Sequence, residues 1–214
     1  MAKHQLIRKF SQRIIHADDF GIIFSEGMLR VFIDHNIWDE LFARKLDLEC
    51  FFPTEQFTFY VTKHGKYEVQ QTPESCMELK EYINRYLDSL VKVDAMFGFH
   101  NSNLPPDQQR SGGFGIGRFS NKTNELFRKN LNQKFGTSQK RKSTQILYKQ
   151  EADIELAVRS LIYPVLTLDI KPGPLKEAQE QGGKVILLER QFIKPLSNSD
   201  FVSYIKSRLN EVQT

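Results

Sequence analysis

The sequence predicts a mixed α/β protein, and three observations carry that expectation. Residues 56–70 hold a β-rich run, Phe57-Thr58-Phe59-Tyr60-Val61, followed by the alternating Lys66-Tyr67-Glu68-Val69. Residues 72–90 follow with apolar positions at helical spacing. In the last third, helical patterns alternate with short apolar runs, as in an α/β layer. The front half therefore reads as α+β, with a hairpin packed on a helix, and the back half as alternating α/β.

Taken in order, residues 6–15 fit either a helix or a strand, residues 16–21 read as a turn and residues 22–24 as a short strand. Residues 26–33 and 38–46 show helical patterns, the second with Leu41, Phe42 and Leu46 on one side. Residues 48–52 read as a strand stopped by Pro53, which would place Cys50 in the core. His64-Gly65, between two β-rich runs, reads as a hairpin connection. Thr72-Pro73-Glu74 supplies a capping hydroxyl, a proline at the first helical position and an acid in the first turn. The helix it opens would bury Leu79, Tyr82, Ile83, Tyr86, Leu87 and Leu90, and Cys76 would sit at its start.

Residues 98–117 are dominated by Asn, Ser, Pro, Gln and Gly and read as a long loop. Residues 121–133 form a predicted helix with Leu126, Phe127 and Leu131 inward and Arg128 and Lys129 partly outward. A polar, basic linker covers residues 136–143, and residues 145–148 read as a short strand. A helix over 151–162, a strand over 163–170, a short helix over 175–181 and a buried strand over 184–188 complete the alternation. Ser197 to Asp200 fits a capping box for a last helix with Phe201, Val202, Ile205 and Leu209 on one face. The expected organisation is an α+β half over 1–99, a Gly-rich and basic joint over 100–145 and an α/β half over 146–214, as packed halves or as one compact domain.

Charge singles out the middle of the chain. Residues 110–149 contain ten basic side chains and one acid, Glu125, for a local charge of +9. The whole chain is +4, so the remainder sums to −5. A local excess of cations usually meets a polyanion. Phe114, Phe119, Phe127 and Phe135 interleave with the charges, which suits stacking on single-stranded nucleic acid or RNA. The candidate phosphate contacts are Arg110, Arg118, Lys122, Arg128, Lys129, Lys134, Lys140, Arg141 and Lys142.

Composition excludes several classes. Two cysteines, Cys50 and Cys76, make neither a disulfide framework nor a zinc site, which fits a reduced, cytoplasmic setting. No apolar run approaches the ~18 residues of a membrane span, and the first residues lack a signal-peptide core. Among the histidines, His100 beside Asn101 is a candidate to face a site.

Short motifs carry the remaining candidates. Ser111-Gly112-Gly113-Phe114-Gly115-Ile116-Gly117 lacks the Lys-Ser/Thr ending of a P-loop. From Gly112 to Phe119 it looks a little like the glycine-rich loops of RAMP-type CRISPR RNA-binding proteins; the likeness is one of composition and brings no function with it. Asp169-Ile170-Lys171 resembles the D-x-K half of a PD-(D/E)xK nuclease site. That resemblance implies Mg²⁺ held by Asp169 with Asp153 or Glu155, and Lys171 orienting the attacking water. The family places its first acid on a strand, whereas Asp153 and Glu155 fall in a predicted helix. His16-Ala17-Asp18-Asp19-Phe20-Gly21 resembles the A-D-D-F-G of YdjC-like carbohydrate deacetylases and the paired aspartates of reverse transcriptases. A downstream histidine cluster, needed by the first, is absent, and the chain is too short for the second.

The leading expectation is a nucleic-acid-binding protein, a subunit of a nucleoprotein assembly, with no cofactor and no membrane partner. The alternatives are a Mg²⁺-dependent nuclease using Asp153, Asp169 and Lys171, or an interaction subunit that docks an acidic protein partner through the basic segment.

Overall fold

In the computed structural model the described residues are 28–212, apart from Asp88, Arg141, Asp169 and Ile170. The expectations for residues 6–24 lie outside the described residues. The chain is mixed α/β, built on one parallel sheet. Its strands are β1 (Leu29–Ile33), β2 (Phe57–Thr62), β3 (Val91–Met96), β4 (Gly117–Arg118), β5 (Val165–Thr167) and β6 (Val185–Leu187). The order across the sheet is β4-β3-β2-β1-β5-β6. β1 pairs with β2 on one side, Val31 opposite Phe59, and with β5 on the other, Phe32 opposite Val165. One sheet thus takes strands from both sides of the basic segment.

Parallel strands need crossovers, and those crossovers put helices on both faces. On one face lie α1 (His35–Ala43), α4 (Met77–Tyr86) and α9 (Asn198–Glu211). They pack Trp38, Leu41, Ile83, Phe201 and Ile205 onto Val31, Ile33, Phe59, Val61, Leu166 and Ile186. On the other lie α5 (Lys122–Phe135), α6 (Glu151–Ser160) and α7 (Pro174–Glu180). Phe127, Leu131, Ile154, Ala157, Leu175 and Ala178 cover Phe32, Tyr60, Val165 and Val185 there. Successive strand residues point to opposite faces, so Phe32 serves the second layer while Val31 and Ile33 serve the first. Short helices α2 (Leu48–Phe51) and α8 (Arg190–Ile193) and the helix α3 (Lys63–Gln70) complete the set.

Several expectations are corrected. Residues 29–33 form the central strand, not a helix; Leu-Arg-Val-Phe-Ile is short and apolar, and neighbours on both edges decide its state. Residues 48–51 are helical because the Asp47 carboxylate accepts from Glu49 N, and Cys50 is exposed on that turn instead of buried in a strand. The hairpin is absent: Thr62 Oγ1 accepts from Gly65 N at 3.0 Å and opens α3, so Lys66–Val69 is helical. Pro73, not Thr72, caps the 3₁₀ turn Glu74–Cys76 that leads into α4. β3 lies where the sequence reading placed no strand. Residues 145–148 are irregular, and Leu126 of α5 is exposed. The last helix keeps its predicted cap, Ser197 Oγ accepting from Asp200 N.

Candidate nucleic-acid interface at the carboxyl edge of the sheet

Strand order reverses between β1 and β5. In open parallel sheets, ligands bind outside the carboxyl ends of the strands at such a point. There Asp34, which follows β1, is 5% exposed. Its carboxylate accepts from His35 N at 2.7 Å, from Asn36 Nδ2 at 2.7 Å and from Thr167 Oγ1 at 2.6 Å. Asn36 Oδ1 in turn accepts from Leu168 N at 2.8 Å. The network ties the ends of β1 and β5 together. Beside it a cavity of about 300 Å³ is lined by His35, Asp39, Gln145, Lys149 and Asp153. Burial lowers the pKa of His35, with Asp39 and Asp34 acting against it, and its Nδ1 has no hydrogen-bond partner among the described residues.

Further along the same edge, past β2 and β3, charged side chains interlock. Arg159 is 3% exposed and donates to Asp94 Oδ2 at 2.7 Å and to Glu155 Oε2 at 2.8 Å. Arg128 Nε donates to Glu155 Oε1 at 2.6 Å, and Arg118 Nη2 to Asp94 Oδ2 at 3.3 Å. Arg110 Nε donates to Glu151 Oε1 at 2.9 Å, and His64 Nε2 lies 3.5 Å from the same oxygen. Burial would raise the Glu151 carboxyl, but bonds from His64, Arg110 and the Tyr148 amide outweigh it and hold the pKa at about 2. Burial works against Glu155 in the same way; the charges of Arg159, His64 and Arg128 lower it to about 2.

Next to this network stands a cluster of exposed rings. Phe97 meets Phe99, Phe114 and Phe119 at centroid distances of 5.7, 5.0 and 4.7 Å. Phe99, Phe114 and Phe119 are 79%, 82% and 65% exposed. The glycine-rich run builds the turn that presents them. A Cβ on Gly117 would stand 2.5 Å from Phe97 Cα, so glycine is what lets β4 close on β3. Gly112 is used the same way, against the backbone of Gly117. These two glycines admit the protein's own backbone, not a phosphate, whereas Gly113 and Gly115 face open space.

The predicted phosphate contacts fall into two groups. Arg110, Arg118 and Arg128 are bonded to Glu151, Asp94 and Glu155, and Lys134 to Glu177. Lys122, Lys129, Lys140 and Lys142 are exposed, and Lys140 Nζ stands 5.8 Å from the Tyr148 ring centroid. Arg141 lies outside the described residues. Of the nuclease candidates, Asp153 sits in the first turn of α6 and Lys171 is exposed, while Asp169 lies outside the described residues. Among the described residues no three His, Cys, Asp or Glu side chains are grouped to hold a metal ion. His100 is exposed. Sequence reading missed Asp34, Asn36, Lys63, Asp94 and Arg159. An acid at the end of the apolar run 29–33 was a usable signal for Asp34, once that run is taken as a strand.

Fold and edge together define a doubly wound α/β protein with a charged, ring-bearing carboxyl edge. No protein-family model matches the chain, and no curated protein matches its sequence. No helix among the described residues is long and apolar enough to cross a membrane.

Proposed function

We propose that the protein binds single-stranded nucleic acid along the carboxyl edge of its sheet. The observation that carries this reading is the ring cluster in which exposed Phe99, Phe114 and Phe119 gather on half-buried Phe97, two of them, Phe114 and Phe119, within the basic segment. Large exposed rings are costly in water and offer flat faces on which bases stack regardless of sequence. Lys122 opens α5 three residues after Phe119, and Lys129, Lys140 and Lys142 form no ion pair with a described residue, unlike the arginines. They supply the phosphate contacts, and such contacts position a strand rather than read its bases. The exposed thiols of Cys50 and Cys76, unlinked to each other, fit a reducing, cytoplasmic setting. Fluorescence anisotropy with single-stranded DNA and RNA, titrated with salt, tests the reading. Binding that weakens steeply with salt supports it. Absence of binding at low salt overturns it and leaves the edge as a docking face for an acidic protein.

A second reading adds Mg²⁺-dependent cleavage of the bound strand. Its specific support is the buried Asp34 carboxylate at the point of strand reversal, beside the cavity that holds Asp39 and Asp153. The described residues do not by themselves complete a metal site. Degradation of a labelled strand with Mg²⁺, lost in Asp153→Asn while binding persists, selects this reading. An intact strand after prolonged incubation with Mg²⁺ rejects it.

A further inference from the structure

A second cavity, of about 280 Å³, opens between the ends of β2 and β3 and the start of α6. Lys63, Arg110, Arg128 and Arg159 line it, and so do Asp94, Glu151 and Glu155. Four cations therefore face three carboxylates, an excess of one positive charge before His64 is counted. Arg118, outside the lining, is bonded to Asp94. The bridges described above consume the carboxylates: Asp94 binds two arginines, Glu155 two, and Glu151 one arginine with His64. Lys63 is left over. Its ammonium donates to the Ser111 carbonyl at 2.7 Å and forms no ion pair with a described residue. Burial lowers its pKa, and no carboxylate offsets that burial.

The backbone adds to the same sign. The first residues of α3, Lys63 and His64, line the cavity, and so does the first residue of α6, Glu151. Both helices thus direct the positive ends of their dipoles towards it. Uncompensated positive charge in a partly desolvated cavity is unfavourable unless an anion is recruited. The Ser111 carbonyl takes one proton of the lysine; a phosphate oxygen would accept from another and from a neighbouring guanidinium together.

We infer that this cavity is a phosphate pocket that takes the phosphomonoester at the end of a nucleic-acid strand. Charge favours an anion, because the lining cations outnumber the carboxylates and Lys63 has no carboxylate partner among the described residues. Shape selects the terminal group, because a strand end enters a pocket from one side while an internal phosphate has chain on both. Phe97 lines the cavity and also anchors the ring cluster, so the nucleotide next to the bound phosphate would meet a stacking surface. The inference deepens the nucleic-acid reading and rests on it for the identity of the ligand.

The test compares one oligonucleotide with a 5′-phosphate, a 3′-phosphate or neither, together with inorganic phosphate followed by thermal shift. The expected result is about tenfold tighter binding of one phosphorylated strand. Inorganic phosphate should compete for that gain and raise the melting temperature. Lys63→Gln should cut the preference below threefold, and Lys63→Arg, which keeps the charge, should retain it. Equal affinity of all three strands overturns the pocket and leaves the nucleic-acid reading standing. Thermal protection by phosphate without binding of any strand keeps the phosphate pocket and sinks the nucleic-acid reading. No response to phosphate and no strand binding sinks both.

Discussion

Arg159 Nε stands 2.7 Å from Asp94 Oδ2, joining residues 65 positions apart in the chain. The bond fastens α6 to the end of β3 and holds open the charged edge beside the exposed rings. Asp94 and Glu155 both lower the cost of burying this guanidinium, and together they keep its pKa raised against burial. The pair is structural first: it sets where Arg118 and Arg128 lie.

Removing the hub should therefore cost stability. Arg159→Met leaves Asp94 with Arg118 and Glu155 with Arg128, but strips each carboxylate of its most buried donor. Truncating one member of a buried pair typically costs about 3–5 kcal/mol, and the remaining arginines place this case near the lower end. Urea denaturation should show a loss of about 3 kcal/mol with an unchanged slope. A loss below about 1 kcal/mol would mean that the network is not a stabilising unit.

Acid should weaken the fold through the same residues. Glu151 and Glu155 have folded pKa values of about 2, below the ordinary value of 4.5. A carboxyl depressed on folding binds fewer protons in the folded state than in the unfolded one. Its contribution is fully present above about pH 4.5 and is lost as the pH falls towards 2. The urea midpoint should hold steady from pH 7 to pH 5 and drop between pH 5 and pH 2. Glu151→Gln should flatten part of that drop, since it removes one of the two groups that titrate.

Asp34 offers a separate measure of the strand-reversal point. Asp34→Ala removes the acceptor for His35 N, Asn36 Nδ2 and Thr167 Oγ1 at once. Buried donors left without an acceptor cost about 1–3 kcal/mol each where water cannot reach them. A loss of about 2–4 kcal/mol should follow, with faster amide exchange at Leu166 and Leu168. Asp34→Asn keeps one oxygen and should recover about half of the loss.

How much of this was legible beforehand depends on the range of the interaction. The back third was readable because its signals are local: Ser197 caps α9, and Phe201, Val202, Ile205 and Leu209 repeat at helical spacing. The front half was not, because Leu29–Ile33 and Val91–Met96 are short apolar stretches whose state is fixed by distant partners. Val31 becomes a strand residue by pairing near Phe59 on one side and lying beside β5 on the other. At the edge, sequence gave the excess of positive charge in residues 110–149 but not its distribution. Arg110, Arg118 and Arg128 meet carboxylates 41, 24 and 27 residues away, and no spacing rule links such positions. Lys134 bridges Glu177 and is exposed all the same, while Lys122, Lys129, Lys140 and Lys142 are exposed with no such partner among the described residues.

That division between bridged arginines and exposed lysines makes the nucleic-acid reading testable side chain by side chain. Phe114 and Phe119 touch little beyond Phe97, so Phe114→Ala and Phe119→Ala should leave the melting temperature nearly unchanged. Stacking on one ring contributes about 1–3 kcal/mol per base, so each substitution should weaken single-strand binding at least about fivefold. The salt dependence should not change, because no phosphate contact is lost. Lys129→Gln should do the reverse: a modest loss of affinity, with the salt slope reduced by about 0.7, the value for one phosphate on a single strand. Arg128→Gln, at the adjacent position, should instead lower stability by removing one of the two arginines bonded to the buried Glu155 carboxylate. If Phe114→Ala and Lys129→Gln both bind like the unaltered protein, the ring cluster and the lysines do not form the interface.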